Sequence, residues 1–293
     1  MRILLLGNTG QLGWELHRSA ITLGEVFAID YPELDLMKVA ALQKLIEAYQ
    51  PQLILNATAY TAVDQAESEI EIANTINREA VAVMAEQARR LNAVLVHFST
   101  DYVFDGLKGE PYRETDSPNP LNVYGASKLA GEQVIQEIGC THLIFRTSWV
   151  YSLRKPSFVT KVLEWARQKP SLRVVDDQIG NPTWCRALAE ASVQVLAMAK
   201  QQPPEWLFQK SGLYHLAGDG HASRLEWAQE IIKQDPHRHD QVVRELMPAS
   251  TNEFPAPATR PAFSALDCQL FTNTFGIKLP DWRAALELAL VNG

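Results

Sequence analysis

The stretch GNTGQLG, residues 7–13, constrains this chain most. It stands between a short apolar run, RILLL at 2–6, and a segment of helical periodicity, QLGWELHRSAITLG, that stops at Gly24. Gly7, Gly10 and Gly13 form a G-x-x-G-x-x-G frame. A tight turn from strand to helix needs a residue without a side chain. A phosphate lying on the turn needs close backbone approach and the free N–H groups of a helix start. The strand–turn–helix context predicts a dinucleotide-binding turn, the alternative being a purely structural one.

The chain continues in the same rhythm. EVFAID, QLILNAT, AVLVHFST and THLIFRTSWVY read as strands. Between them, VAALQKLIEAYQ (ended by Pro51), the long IEIANTINREAVAVMAEQARRLN and a segment starting near Val123 read as helices. The strands are unbroken apolar runs, the pattern of a parallel sheet covered on both faces. The expected fold class is α/β, with a doubly wound parallel sheet. Residues 1–150 are expected to form the dinucleotide-binding domain, and 151–293 a smaller mixed α/β substrate-binding domain. The helix at about 185–200 is expected to pack back onto the first half. In the second half SFVTKVLEWARQK, CRALAEASVQVLAMAK, SRLEWAQEII (after a Ser cap) and PDWRAALELAL read as helices. GLYHLAG reads as a strand, and the proline-rich 248–261 as an ordered loop.

Composition narrows the class. The 293 residues are 46% hydrophobic and 21% charged, a globular balance. A formal charge of -7 argues against nucleic-acid partners, which need a concentrated basic surface. No apolar run is long enough to span a bilayer, and glycines cut the N-terminal run short of a signal peptide. Cys140, Cys185 and Cys268 are scattered without metal-ligand spacing, as reduced thiols of a cytoplasmic protein would be.

Further residues bear on chemistry. Asp30 ends the second strand, where an acid accepts from a ribose 2′-OH and would repel a 2′-phosphate unless Arg2 or Arg18 came near. Asp35 and Leu36 follow on a loop that could meet an adenine; for Asp35 an ordinary solvated acid is the alternative. The third strand ends in NATAYTA, whose Ala57 and Ala59 would let a cofactor lie against the backbone. Tyr124 and Lys128 lie four apart and so share a helix face. A phenol is a weak acid–base group at neutral pH, and a nearby cation favours its ionised form. Ser99 and Thr100 end the fourth strand, the rim where ligands bind in doubly wound sheets. Trp149 stands near that rim, as core or as a stacking surface.

Taken together, GNTGQLG, FSTDYVF and YGASK resemble the extended short-chain dehydrogenase/reductases, with a Rossmann-like fold. NATAYTAVDQAE, YGASKLAGE with RTSWVY, and DDQIGNPT narrow the resemblance to the dTDP-4-dehydrorhamnose reductase family. It runs in order from residue 1 to about 185, and YHLAGDG and RPAFSALD continue it. The resemblance implies that NADPH, with NADH also used, gives hydride to C4 of a 4-keto dTDP-sugar. It implies that Tyr124 protonates the C4 oxygen, that Lys128 tunes it and binds the nicotinamide ribose, and that Thr100 is the catalytic hydroxyl. Asp101 and Trp149 would meet the sugar. Gly10, Gln11, Leu12, Asp30, Asp35, Leu36, Ala59, Tyr60, Thr61 and Phe98 match cofactor-contacting positions. Arg260 would meet a diphosphate, a loop arginine being the alternative. Glu15 matches a position that holds magnesium at a homodimer contact in some members, a solvated acid being the alternative.

Nucleotide-sugar dehydratases of this superfamily carry a glutamate where this chain has Tyr102. That favours reduction over elimination. A 4-keto reductase for another deoxysugar nucleotide is a second reading. An NADP-binding regulatory subunit of the methionine adenosyltransferase type is a third. The intact Thr100, Tyr124 and Lys128 favour an enzyme.

Overall fold

A computed structural model describes residues 1–203 and 205–292 of the chain. The first half builds β1 (Arg2–Leu6), α1 (Gln11–Ala20), β2 (Glu25–Ile29), α2 (Val39–Tyr49) and β3 (Leu53–Asn56). After α3 (Val63–Ala66) a single long helix runs as α4 (Ile70–Asn74), a π-helical segment (Thr75–Glu79) and α5 (Ala80–Leu91). Then come β4 (Val94–Thr100), a 3-10 turn (Asp101–Val103), α6 (Val123–Ile138) and β5 (His142–Thr147).

These strands and one later strand form a parallel sheet of order β10-β5-β4-β3-β1-β2, where β10 is Gly212–His215. The order reverses at β1, whose neighbours are β2 on one side and β3 on the other. A crevice therefore opens beyond the carboxyl ends of β1 and β3, the expected ligand position in such sheets. Leu4, Ile54, Leu95 and Ile144 face α2, α5 and α6 on one side of the sheet. Leu5, Leu55, Val96 and Phe145 face the other side, where they pack with α1 and with α8 (Cys185–Ala199). Residues 185–199 thus cover the sheet alongside α1, through Leu16, Leu188, Ala189 and Val195.

The segment THLIFRTSWVY does not run as one strand. It breaks after Thr147 and resumes as β6 (Val150–Tyr151), with Trp149 between at a left-handed φ of 44°. A second core then forms from α7 (Phe158–Gln168), β7 (Ser171–Val175), β8 (Ile179–Gly180), β9 (Thr183–Trp184), β11 (Ala222–Ser223), α10 (Arg224–Gln234), β12 (Glu245–Ala249) and α12 (Trp282–Asn292). Its centre is Tyr151, Val162, Trp227 and Trp282. Pro248 and Ala249, expected in a loop, lie in β12, which pairs in parallel with β7. Pro248 has no N–H to give a ladder, and a two-stranded sheet has an open edge that tolerates this. No described helix is long and apolar enough to cross a membrane.

Candidate active site

The glycine turn is built as its spacing requires. Gly7 has φ +87°, and a Cβ there would lie 3.0 Å from the Ala57 carbonyl group. A Cβ at Gly13 would stand 1.9 Å from the Gly7 oxygen, so α1 can start only if residue 13 lacks a side chain. The first turn of α1 has no side-chain cap and no acid, which leaves its N–H groups and positive dipole end facing the crevice.

A cavity of about 440 Å³ fills this crevice. Gly7, Gly10, Gln11 and Leu12 line one end, and Thr100, Asp101, Tyr124, Lys128 and Trp149 the other. Ala59, Thr61 and Phe98 lie between. Asp30 also lines a smaller apolar slot with Asp35, Leu36 and Ala59. Of the expected cofactor positions, Gly13 supports the turn from behind. Tyr60 lines neither space; its hydroxyl donates to Glu69 and its backbone N–H to Asn77 Oδ1 at 2.9 Å. The long crevice, the glycine cradle and two partnerless buried acceptors at its wall, Gln11 Oε1 and Thr147 Oγ1, fit an extended dinucleotide.

Asp30 also ties the turn to β2. Its Oδ2 accepts from the Thr9 N–H at 3.1 Å and the Thr9 hydroxyl at 2.5 Å, and its Oδ1 from the Tyr31 N–H. Neither sequence-flagged arginine approaches it. Arg2 donates to the Gln50 carbonyl, and Arg18 to Glu15.

The position of α6 follows from small residues on its face. A Cβ at Gly125 would meet the Tyr102 carbonyl oxygen at 2.1 Å, and one at Gly131 the Asn77 oxygen at 2.2 Å. Asn122 caps the helix by accepting from the Gly125 N–H at 2.8 Å, and its amide donates to the Thr259 carbonyl. Asn77, in the π-helical segment, donates to Ser127 Oγ at 2.9 Å and to the Tyr60 carbonyl. It thereby ties the loop after β3 to α6. The π segment is a local departure of the kind often found at functional sites. Nothing in the periodicity of residues 70–92 revealed it.

Tyr124 and Lys128 share one face, as their spacing predicts, but their surroundings differ from the expected tuning pair. Tyr124 stands beside Thr100 on the cavity wall, and burial pushes its phenol well above the usual range. Lys128 is 1% exposed, and its ammonium donates to the Phe98 carbonyl at 2.7 Å and meets His97 Nε2 at 3.2 Å. Burial pulls it down to about 8, with Glu132 opposing. Desolvation therefore outweighs any lowering of the phenol by the lysine.

The remaining polar groups divide into site and scaffold. Ser99 donates to Glu132, which Arg146 grips with two nitrogens at 2.6–3.2 Å. Asp101, also buried, accepts from Thr100, Ser148 and Ser264, and burial raises its carboxyl pKa despite those donors. Trp149 lies flat over Gly180, where a Cβ would meet its indole at 2.6 Å, which accounts for the glycine of DDQIGNPT.

Sequence reasoning missed Arg224. It stacks over Trp149 at 3.7 Å and forms no ion pair among the described residues. With Arg260 it lines a second cavity of about 800 Å³. Arg260 itself is paired with Asp64 through both nitrogens, at 2.7 and 3.0 Å. One signal pointed to Arg224: a cation in the first turn of a helix opposes the dipole and calls for another reason to be there.

Glu15 does not fit a magnesium ligand. It is 2% exposed, and its carboxylate accepts from Arg18 at 3.1 Å and from Arg186 at 3.3 Å. Two guanidinium groups already neutralise it. The group of metal-ligating side chains found among the described residues is the exposed His237, His239 and Asp240, away from Glu15.

A glycine turn at the switch point of a parallel sheet, facing a tyrosine, a lysine and a strand-end threonine across one cavity, defines a Rossmann-type nucleotide-binding protein with an acid–base site. Residues 1–292 match the family model of the RmlD substrate binding domain, and the chain belongs to that family. It is 41% identical to a dTDP-4-dehydrorhamnose reductase of Burkholderia thailandensis, with 99% of this chain and 98% of the relative covered. It is similar to a solved dTDP-4-dehydrorhamnose reductase of Clostridium acetobutylicum, with a TM-score of 0.90, 32% identity and 99% of each chain covered. A Bacillus anthracis dTDP-4-dehydrorhamnose reductase solved in complex with NADP superposes at a TM-score of 0.87, with 32% identity and 100% and 99% covered.

Proposed function

We propose that this chain is a dTDP-4-dehydrorhamnose reductase, which reduces the C4 keto group of dTDP-4-dehydro-6-deoxy-L-mannose to give dTDP-L-rhamnose. The observation that carries the reading is the convergence of Tyr124, Thr100 and Lys128 on the cavity that begins at the glycine turn. NADPH, whose oxidised or reduced form is the NADP bound by the Bacillus anthracis relative, would supply the hydride when bound, with NADH as the alternative donor. Gly7, Gly10, Gln11, Leu12 and the start of α1 hold its diphosphate. Asp30, Asp35, Leu36 and Ala59 border the adenosine end, and Thr61, Phe98 and Lys128 the nicotinamide end.

Tyr124 arrives with its proton in place, because burial holds its phenol protonated throughout the physiological range. The oxygen that forms at C4 is a stronger base than a phenolate, so the proton moves to the sugar. Thr100 lines the same cavity wall as Tyr124, where its hydroxyl can meet the sugar oxygen beside the phenol. Asp101 orients Thr100 at 3.2 Å, on the sugar side of the cavity. Trp149 provides the flat wall against the sugar ring. Its left-handed backbone is a costly conformation for a bulky residue, which is consistent with a functional constraint. Arg224 and Arg260 face the second cavity and supply the positive charge that a nucleotide diphosphate requires.

Tyr102 replaces the base that elimination would need. Burial raises its phenol pKa, and the charges of Arg224 and Arg260 oppose that rise. Residues 1–150 serve mainly the cofactor and 151–293 mainly the sugar nucleotide, in a cytoplasmic enzyme acting alone or as a homodimer. The test is to follow loss of the NADPH absorbance with purified protein and dTDP-4-dehydro-6-deoxy-L-mannose, and to identify the product sugar. Oxidation with formation of dTDP-L-rhamnose is expected. Folded protein that binds NADPH without oxidising it would overturn the assignment and favour a regulatory role.

A further inference from the structure

His97 lies in the middle of β4, is fully buried, and has no contact with the cavity. Its two ring nitrogens meet two different groups. Nδ1 lies 2.9 Å from Asn56 Nδ2 on β3, and Nε2 lies 3.2 Å from Lys128 Nζ on α6. Its proton can be placed by hydrogen-bond accounting. Asn56 Oδ1 accepts from the Thr58 backbone N–H at 3.0 Å, and from the Thr58 hydroxyl. A backbone N–H can only donate, so the Asn56 amide cannot be turned round without opposing two donors. Its NH₂ group therefore points at His97 Nδ1 and donates to it. The ring is neutral, because burial and the charge of Lys128 both drive it well below its usual pKa. A neutral ring that accepts at Nδ1 carries its proton on Nε2.

That proton points at Lys128 Nζ. An amine with a lone pair can accept it, whereas an ammonium opposes it with a donor of its own. We infer that His97, locked by Asn56 as the Nε2–H tautomer, is a positioning residue that disfavours the ammonium form of Lys128. This deepens the reductase reading, on which the importance of Lys128 rests.

The other charged or titratable groups around Lys128 do not have this effect. Glu132, one turn further on α6, favours the ammonium but is neutralised by Arg146 from β5 and held by Ser99 from β4. Tyr124, one turn earlier, is protonated. From β3, only the uncharged Asn56 reaches His97. The ammonium keeps one good acceptor, the Phe98 carbonyl, which also fixes where Nζ stands.

The tautomer can be read directly, in the full chain and without substrate, by nitrogen NMR of labelled histidine rings. His97→Gln identifies the signals by their loss. The expected result is an unprotonated Nδ1 and a protonated Nε2 that stay unchanged from mildly acidic to mildly basic pH. A proton on Nδ1 would overturn the inference whether or not the protein is a reductase. The functional arm is the pH profile of kcat/KM for Asn56→Asp, which keeps the acceptor for Thr58. The new carboxylate draws the ring proton to Nδ1, turns Nε2 into an acceptor and favours the ammonium. The basic limb, expected near pH 8 in the parent, should move up by about one pH unit or more. An unmoved limb, with His97 shown to have switched tautomer, would also overturn it. A parent without reductase activity but with the Nε2–H tautomer would refute the activity alone.

Discussion

Of the arginines that sit over aromatic rings, Arg146 and Arg224 have opposite surroundings. Arg146 lies over Phe104, 3% exposed, with both carboxylate oxygens of Glu132 in its grip. Arg224 lies over Trp149 and Phe158 and forms no ion pair among the described residues. Desolvating a guanidinium costs several kcal/mol unless an anion compensates it. At Arg146 the compensation is internal, and the pair joins α6 to β5. At Arg224 it is missing, and the charge faces a cavity large enough for a nucleotide. A fully buried charge completed by the fold belongs to the scaffold, and a half-buried one left without a partner at a cavity wall points to a ligand.

The sharpest way to break this comparison is to exchange each arginine for methionine. Arg146→Met leaves Glu132 buried and unpaired, and should cost about 3–5 kcal/mol of stability in chemical denaturation. Loss of less than about 1 kcal/mol would mean the pair does little for the fold. Arg224→Met should leave the denaturation midpoint nearly unchanged while weakening dTDP binding about 10- to 100-fold by calorimetry, the worth of a charge-assisted contact. Unchanged dTDP affinity would show that the cavity is not the nucleotide site. A smaller effect is expected at the other end of the crevice. Asp30→Asn removes a negative charge beside the adenosine slot, and should shift the NADPH-to-NADH ratio of kcat/KM toward NADPH by several-fold, about 1 kcal/mol. A shift toward NADH would place Asp30 away from the 2′ position.

The same contrast explains how much the sequence revealed. The turn of Gly7, Gly10 and Gly13 was legible because its chemistry is local: backbone positions 7 and 13 admit no side chain, and position 10 is crowded. Tyr124, Lys128 and Thr100 were legible because helix spacing and strand ends put them on known faces. Arg224, Asn77 and His97 were not, because their meaning lies in partners far along the chain. Arg224 needs Trp149 and Tyr102, Asn77 needs Tyr60 and Ser127, and His97 needs Asn56 and Lys128. Pro248 read as loop because proline lacks a donor, and only pairing with β7 made its segment a strand. Arg260 was legible as a cation on a loop, but its pairing with Asp64, far back in the chain, was not. Glu15 looked like a metal ligand by position, yet Arg18 and Arg186 hold it.

The central claim is that Tyr124 delivers the proton in a site otherwise complete for reduction. It is tested by comparing the parent with Tyr124→Phe in a single assay of NADPH oxidation by dTDP-4-dehydro-6-deoxy-L-mannose, with NADPH affinity measured alongside. The account expects unchanged NADPH binding and turnover lower by about two orders of magnitude or more. Turnover at the parental rate, with the cofactor bound as before, would contradict it.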